Sequence, residues 1–189
     1  MKGRDLDAEM WAAVEAVRLP HIRRMEALGV PLRAIAEVGA ELPAFGVSRV
    51  RWLPGGLYEP DPDGEPAAIM PVPGADEAEP GELGLIDLVA FSASHPSRWS
   101  WRLGHAWLLG EWWLDQLDEL TIVETPVRWL AQGGVAACIL NWGAPASCWA
   151  MLRQVPELRF ENETLRVRAE RALRQAVTLP RMGVIEHAA

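Results

Sequence analysis

The chain opens with three short amphipathic stretches. Leu6, Met10, Ala13, Val14 and Val17 recur at helical spacing, which predicts a helix ending before Pro20. Ile22, Met25 and Leu28 predict a second, stopped by Gly29. Pro31 opens a third, with Leu32, Ile35 and Ala36 on one face and Gly39 just past its end. From Ser48 onward the period changes to short apolar runs broken by turns. Val50–Leu53 runs into Pro54-Gly55-Gly56, and Asp63-Gly64 is a strong turn signal. Ala67–Val72 and Leu85–Phe91 read as strands, and Arg98–Leu103 as an extended run able to pair with the second of them.

The last third alternates between the two periods. An apolar run from Leu120 ends on Glu124. Thr125 is then a helix N-cap, with Pro126 at the first helical position and Gly133-Gly134 as the stop. Val135–Leu140 reads as a buried strand. Pro145 opens a helix with Cys148, Trp149, Leu152 and Val155 on its apolar stripe, ended by Pro156. Leu158–Phe160 is a third strand, and Leu165, Ala169, Ala172, Leu173 and Ala176 mark a final helix. Strand–helix units at this pitch predict a parallel sheet with helical crossovers. The expected fold is therefore α/β. A lobe of helices and antiparallel strands over residues 1–115 leads into a βαβαβα sheet with flanking helices over 116–178. A flexible tail over 179–189 follows. Functional residues of such sheets gather beyond the carboxyl ends of the strands, where Glu124, Asn141 and Glu161 fall.

Half of the 189 residues are hydrophobic, enough for the core of one domain or of two small lobes. No apolar run approaches the ~20 residues that span a bilayer. The opening MKGRDLDAEM has no apolar segment of a signal peptide, so the expected location is cytoplasmic, away from membranes. Cys138 and Cys148 form no CxxC pair and read as reduced thiols; the scattered histidines do not suggest zinc.

The net charge of −8 argues against non-specific nucleic-acid binding by the whole surface. Its distribution is uneven. Between Leu53 and Ser97 there is no Lys or Arg, against nine acids: Glu59, Asp61, Asp63, Glu65, Asp76, Glu77, Glu79, Glu82 and Asp87. The acidic loop between the two strands reads as mobile. Arginines gather toward the C-terminus, and on the last helix Arg166, Arg168, Arg171 and Arg174 read as a solvated face, with Glu170 to Arg174 as an i,i+4 pair. The ten tryptophans suit packing in a core or between subdomains; base stacking is the sharper alternative, with Trp99 beside Arg98 as its candidate.

These segments, taken in order, resemble the catalytic core of bacterial-type (DnaG-like) primases, which ends in a toprim domain. The resemblance runs from about His21 to Val177. HIRRMEALGVPLRAIAEVG is similar to the helical opening of that core, and AAIMPV with GLIDLVAF to its paired strands. HPSRWSWRLGHAWLLG resembles the segment leading into the toprim domain. LTIVETPVRWLAQGGVAACILNWG resembles the toprim opening, and FENETLRVRAERAL stands where the family has its Asp-x-Asp strand end and helix. The resemblance implies metal-dependent phosphotransfer on DNA or RNA. Glu124 would be the catalytic carboxylate, and Glu161 and Glu163 would hold Mg²⁺ or Mn²⁺. Arg98, Trp99, Arg102, Arg128 and Arg166 would contact the nucleic acid.

The departures bear on catalysis more than on fold. Thr125 replaces the glycine that follows the first acid, Glu-x-Glu replaces Asp-x-Asp, and Leu165-Arg166 stands where a glycine is expected. A primase-like core without accessory modules suits a mobile element or a phage-derived locus. Three readings stay open. The first is a Mg²⁺-dependent toprim enzyme, which requires the three carboxylates to converge. The second is a degenerate toprim domain that binds nucleic acid or a replication protein without chemistry, which requires a basic groove. The third is an unrelated scaffold, in which the acids point apart. For Glu161 and Glu163 the bland alternative is that acids near a helix start stabilise its N-terminus.

Overall fold

The computed structural model describes residues 2–40, 42–75 and 83–176. The acids Asp76, Glu77, Glu79 and Glu82 and the tail beyond Ala176 lie outside these described residues, so the expectations for the mobile acidic loop and the flexible tail do too.

Three helices come first: α1 (Lys2–Glu15), α2 (Leu19–Ala27) and α3 (Leu32–Val38). Pro20 lies in the first turn of α2, and Leu28 and Gly29 close it through backbone N–H groups bonded to Arg24, Met25 and Glu26 carbonyls. The inward face of α3 differs from expectation. Ala34 is buried and Ile35 and Val38 pack on the core, whereas Leu32 and Ala36 face outward.

Five strands follow: β1 (Gly46–Leu53), β2 (Leu57–Pro60), β3 (Glu65–Ala75), β4 (Leu83–Phe91) and β5 (Trp99–Trp101). They close into a barrel in the order β1-β2-β5-β4-β3. All pairings are antiparallel except the seam, where β2 and β5 meet in parallel through one residue pair, Leu57 with Trp101. The Asp63-Gly64 turn is as expected: Gly64 N–H bonds to Asp61 O, and Asp61 Oδ1 accepts from Asp63 N–H. β3 extends beyond its pairing with β1, which ends at Ile69. Pro71 and Pro73 lie in that extension, where a missing N–H breaks no ladder on the β1 side.

Helix α1 covers one face of this sheet. Leu6, Met10 and Ala13 pack on Val50, Tyr58, Ala67, Ile69, Leu88 and Ala90. Burying a side chain such as Leu6 or Met10 contributes roughly 1.5–3 kcal/mol. Gly46 permits the close approach: a Cβ there would lie 2.5 Å from Ala13 Cβ.

The second sheet has the order β6-β8-β7-β9, formed by β6 (Leu108–Leu109), β7 (Glu119–Val123), β8 (Ala137–Ile139) and β9 (Glu157–Phe160). β7 runs parallel to both β8 and β9, and β6 pairs antiparallel at the edge. β6 falls inside the stretch assigned from sequence to the first lobe but belongs to the second sheet. The crossovers are α4 (Pro126–Ala131) and α5 (Ala146–Leu152), and α6 (Glu163–Gln175) follows β9. Strand β8 is shorter than the apolar run that predicted it, and Val135 is exposed.

The two sheets share one core. Ala68, Met70, Val72, Val89 and Phe91 of the barrel meet Leu109, Val123, Cys138 and Leu140 of the second sheet, with Val127, Trp129 and Leu130 of α4 between them. The opposite face of the second sheet packs on α5 and α6 through Leu108, Leu120, Ile122, Ile139, Trp149, Leu165 and Ala169. The molecule is thus mixed α/β with two sheets. No helix among the described residues is long and apolar enough to cross a membrane.

Most tryptophans serve packing, as expected. Trp107, Trp129 and Trp149 are buried, and Trp99 is half-buried, edge-on to Trp101 at 5.3 Å between ring centres. The most exposed is Trp11 on α1, at 60%.

Candidate functional site

The acids expected to form the site stand at the carboxyl ends of the parallel strands. Glu124 follows β7 and Glu161 follows β9. The register pairs Ile122 with Phe160, which brings the two ends level. Thr125 caps α4 by accepting from Arg128 N–H, and Asn162 caps α6 by accepting from Leu165 N–H at 2.9 Å.

Glu124 and Glu161 come together. Glu161 Oε2 accepts from the backbone N–H of Glu124 at 3.0 Å, and the Asn162 amide donates to Glu124 Oε2 at 3.2 Å. Arg128, one turn into α4, donates from Nε to Glu161 Oε1 at 2.5 Å. Asn162 therefore does two tasks, capping α6 through its carbonyl and holding Glu124 through its amide.

Glu163 does not join them. Its oxygens accept from Arg166 Nε and Nη2 at 2.8 and 2.7 Å. The Arg166 hydrogen bonds hold this carboxyl below its ordinary range. The cause of the divergence is local. Asn162 is extended and Glu163 begins the helix, so side chains two apart in sequence do not share a direction, and Arg166 lies one turn along the same face.

As arranged, the three carboxylates do not converge on one point where a Mg²⁺ or Mn²⁺ ion would sit. Both oxygens of Glu161 and both of Glu163 are engaged with N–H donors, and one oxygen of Glu124 is too. Such an ion requires oxygens of several groups turned toward one point. Among the described residues no group of three or more His, Cys, Asp or Glu side chains is placed to hold a metal ion.

The arginines expected to contact nucleic acid each have a carboxylate. Arg98 lies 3.4 Å from Glu65 and stacks on Trp52 at 4.8 Å. Arg102 Nε donates to Glu9 at 2.7 Å, and Glu9 also accepts from the Tyr58 hydroxyl at 2.9 Å. Arg128 holds Glu161, and Arg166 bridges Glu163 and Glu170. Arg98 and Arg102 lie on the barrel, Arg128 and Arg166 on the second sheet's helices, and together they make no unpaired basic groove. Arg168 on α6 packs over Trp142 at 3.9 Å, so the last helix is not simply a solvated face. Arg166–Glu170 and Glu170–Arg174 are i,i+4 pairs, the second as expected.

Beside the acids, Cys138 is fully buried on β8, and burial raises its thiol well above the ordinary value, with Glu161 and Glu124 adding in the same direction. Both cysteines are free.

Two polar centres went unread in the sequence. Asp87 is fully buried, and its carboxylate accepts five backbone N–H bonds. Oδ1 takes Leu88, Arg102 and Leu103, and Oδ2 takes His105 and Ala106, at 2.7–3.2 Å. It pins the segment that leaves the barrel for the second sheet. The signal was present: an acid inside the apolar run LIDLVAF has no cheap place in a core unless donors surround it. Asn162, directly before an acid and an apolar helical period, was likewise legible as a cap.

The chain matches no protein-family model, no curated protein and no solved structure.

Proposed function

We propose that this chain is a toprim-derived module of nucleic-acid metabolism that works by binding rather than by phosphotransfer. One observation carries the reading: the Arg128 guanidinium sits on Glu161, where a catalytic ion would need the carboxylate free. The positive charge that a divalent cation would supply between Glu124 and Glu161 comes instead from a protein side chain. Glu163, turned to Arg166, supports the same reading. The resemblance to the primase core supplies the functional setting, and a cytoplasmic place of work follows from it.

The pairing of Arg98, Arg102, Arg128 and Arg166 with carboxylates favours a protein of the replication apparatus as the partner over a nucleic-acid strand. Phosphate contacts would first have to displace those acids, on a chain of net charge −8.

The enzymatic reading rests on the adjacency of Glu124 and Glu161. Calorimetric titration of Mg²⁺ and Mn²⁺ into the wild type and into Glu161→Ala separates the two. The binding reading expects no stoichiometric site in either. A site present in the wild type and lost in the variant would overturn it and restore the metal-dependent enzyme.

A further inference from the structure

A cavity of about 230 Å³ lies where α3, the end of α4 and the extension of β3 meet, away from the acidic pair. Its walls include Trp112, Trp113 and Trp129, with Pro71 and Pro73 of β3. Trp113 donates its indole N–H to Gly134 O at 2.6 Å, and Trp129 donates to Ala136 O at 2.9 Å. These bonds fix two rings and spend their donors on the protein. Trp112 stands nearly perpendicular to Trp129, at 85° and 6.0 Å, and is tilted 43° to Trp113 at 6.3 Å. The three indoles therefore lie in different planes around one space.

Glu37 on α3 is the ionisable residue in the lining, and no Lys, Arg or His lines the cavity among the described residues. Its carboxylate rests against Gly133: a Cβ there would lie 2.4 Å from Glu37 Oε2. Among the described residues its carboxylate takes part in no hydrogen bond or ion pair that would neutralise it.

We propose that this cavity binds a quaternary, methylated ammonium group. Aromatic faces attract a cation through the ring quadrupole, and a carboxylate at the rim adds charge. The choice of a methylated cation follows from the donor balance. A primary ammonium brings three N–H groups that must be satisfied on burial, and among the lining side chains the Glu37 carboxylate is the acceptor, the rest being apolar groups and indoles. A methylated head has no N–H to satisfy and sheds water more readily. The site is independent of the acidic pair, so it stands or falls separately from the reading above.

The test uses the ¹⁵N-labelled full chain and follows its indole N–H resonances. Choline, a peptide carrying trimethyl-lysine, and 3,3-dimethylbutan-1-ol are titrated at constant ionic strength. The last is the neutral isostere of choline. The expected result is saturable shifts of the Trp113 and Trp129 indole signals with a cation, and roughly five- to thirty-fold weaker binding of the neutral isostere. Glu37→Gln, at an exposed position, is expected to weaken cation binding several-fold without disturbing the fold. Trp112→Leu is expected to abolish it. Tighter binding of the peptide assigns the cation to a protein partner, and tighter binding of choline assigns it to a small molecule. Equal binding of the isostere, no saturable shift with either cation, or full affinity in Glu37→Gln would overturn the proposal.

Discussion

Arg128 and Glu161 join the ends of two parallel strands, Nε to Oε1 at 2.5 Å, while the second oxygen of Glu161 takes the backbone N–H of Glu124. The arginine is 55% exposed, so the pair sits at the surface and can be opened without emptying a core. Arg128→Ala is expected to change stability by no more than about 1 kcal/mol. It is also expected to create weak Mn²⁺ binding that the wild type lacks, because it releases one oxygen of Glu161 next to Glu124. Manganese relaxation of water protons reads this directly. Absence of binding in the variant would mean that the acids are not poised as a latent cation site.

Asp87 is expected to be the most sensitive polar position of the fold. Asp87→Ala takes the acceptor from the N–H groups of Leu88, Leu103, His105 and Ala106, while Arg102 N–H keeps Leu88 O at 2.8 Å; Asp87→Asn replaces acceptor capacity with a donor facing donors. Either substitution should cost on the order of 3–5 kcal/mol. Urea unfolding followed by tryptophan emission measures it. A loss below 1 kcal/mol would show that the 102–106 segment finds other acceptors.

The buried thiol of Cys138 gives a pH signature. Its folded value lies above its unfolded one, so folding holds the proton. That contribution is fully present below the unfolded value of about 8.5 and is lost as pH rises beyond it. The wild type should lose stability from about pH 8.5 upward, and Cys138→Ala should lose less over the same range. Tyr58, also raised by burial, adds its own loss only above about pH 10. Burial raises the Cys148 thiol as well, so the difference between wild type and Cys138→Ala in thermal unfolding between about pH 7 and 9.5 isolates Cys138. Parallel curves for wild type and variant would contradict the assignment.

Gly110 occupies a left-handed conformation with φ of 86°, and a Cβ there would lie 2.2 Å from Ala136 O. It sets the turn between β6 and the short 3-10 segment of Glu111–Trp113. Gly110→Ala is expected to cost at least about 2 kcal/mol from backbone strain and collision together. A shift of the denaturation midpoint checks this, and an unchanged midpoint would show that the turn can relax.

Helix ends were readable because caps and stops are local chemistry. Thr125, Pro126 and Gly133-Gly134 sit where their types require. Barrel closure was not readable. Ala67 and Ile69 face α1 while Ala68, Met70 and Val72 face the central core, so β3 is apolar on both sides and shows no alternation. Such a run says that a strand is buried but not which neighbours it takes. The candidate site divides in the same way. Strand ends placed Glu124 and Glu161 together, since parallel pairing fixes them. The turn at Asn162 decided the direction of Glu163, and Arg166 one turn later decided its partner. Charge counts alone could not reveal that Arg98, Arg102 and Arg128 were already matched with Glu65, Glu9 and Glu161, since all three acids lie far away in sequence.

The barrel seam carries a mechanical consequence. β3 and β4 are zipped by eight residue pairs, whereas β2 meets β5 at Leu57 and Trp101 alone. The ring is therefore closed by a clasp. Under load or heat it should part at that clasp first, peeling β2 outward with β1 while the β3–β4 ladder and the shared core stay shut. The long ladders carry most of the pairing in this lobe, and the last link decides where the hoop springs open.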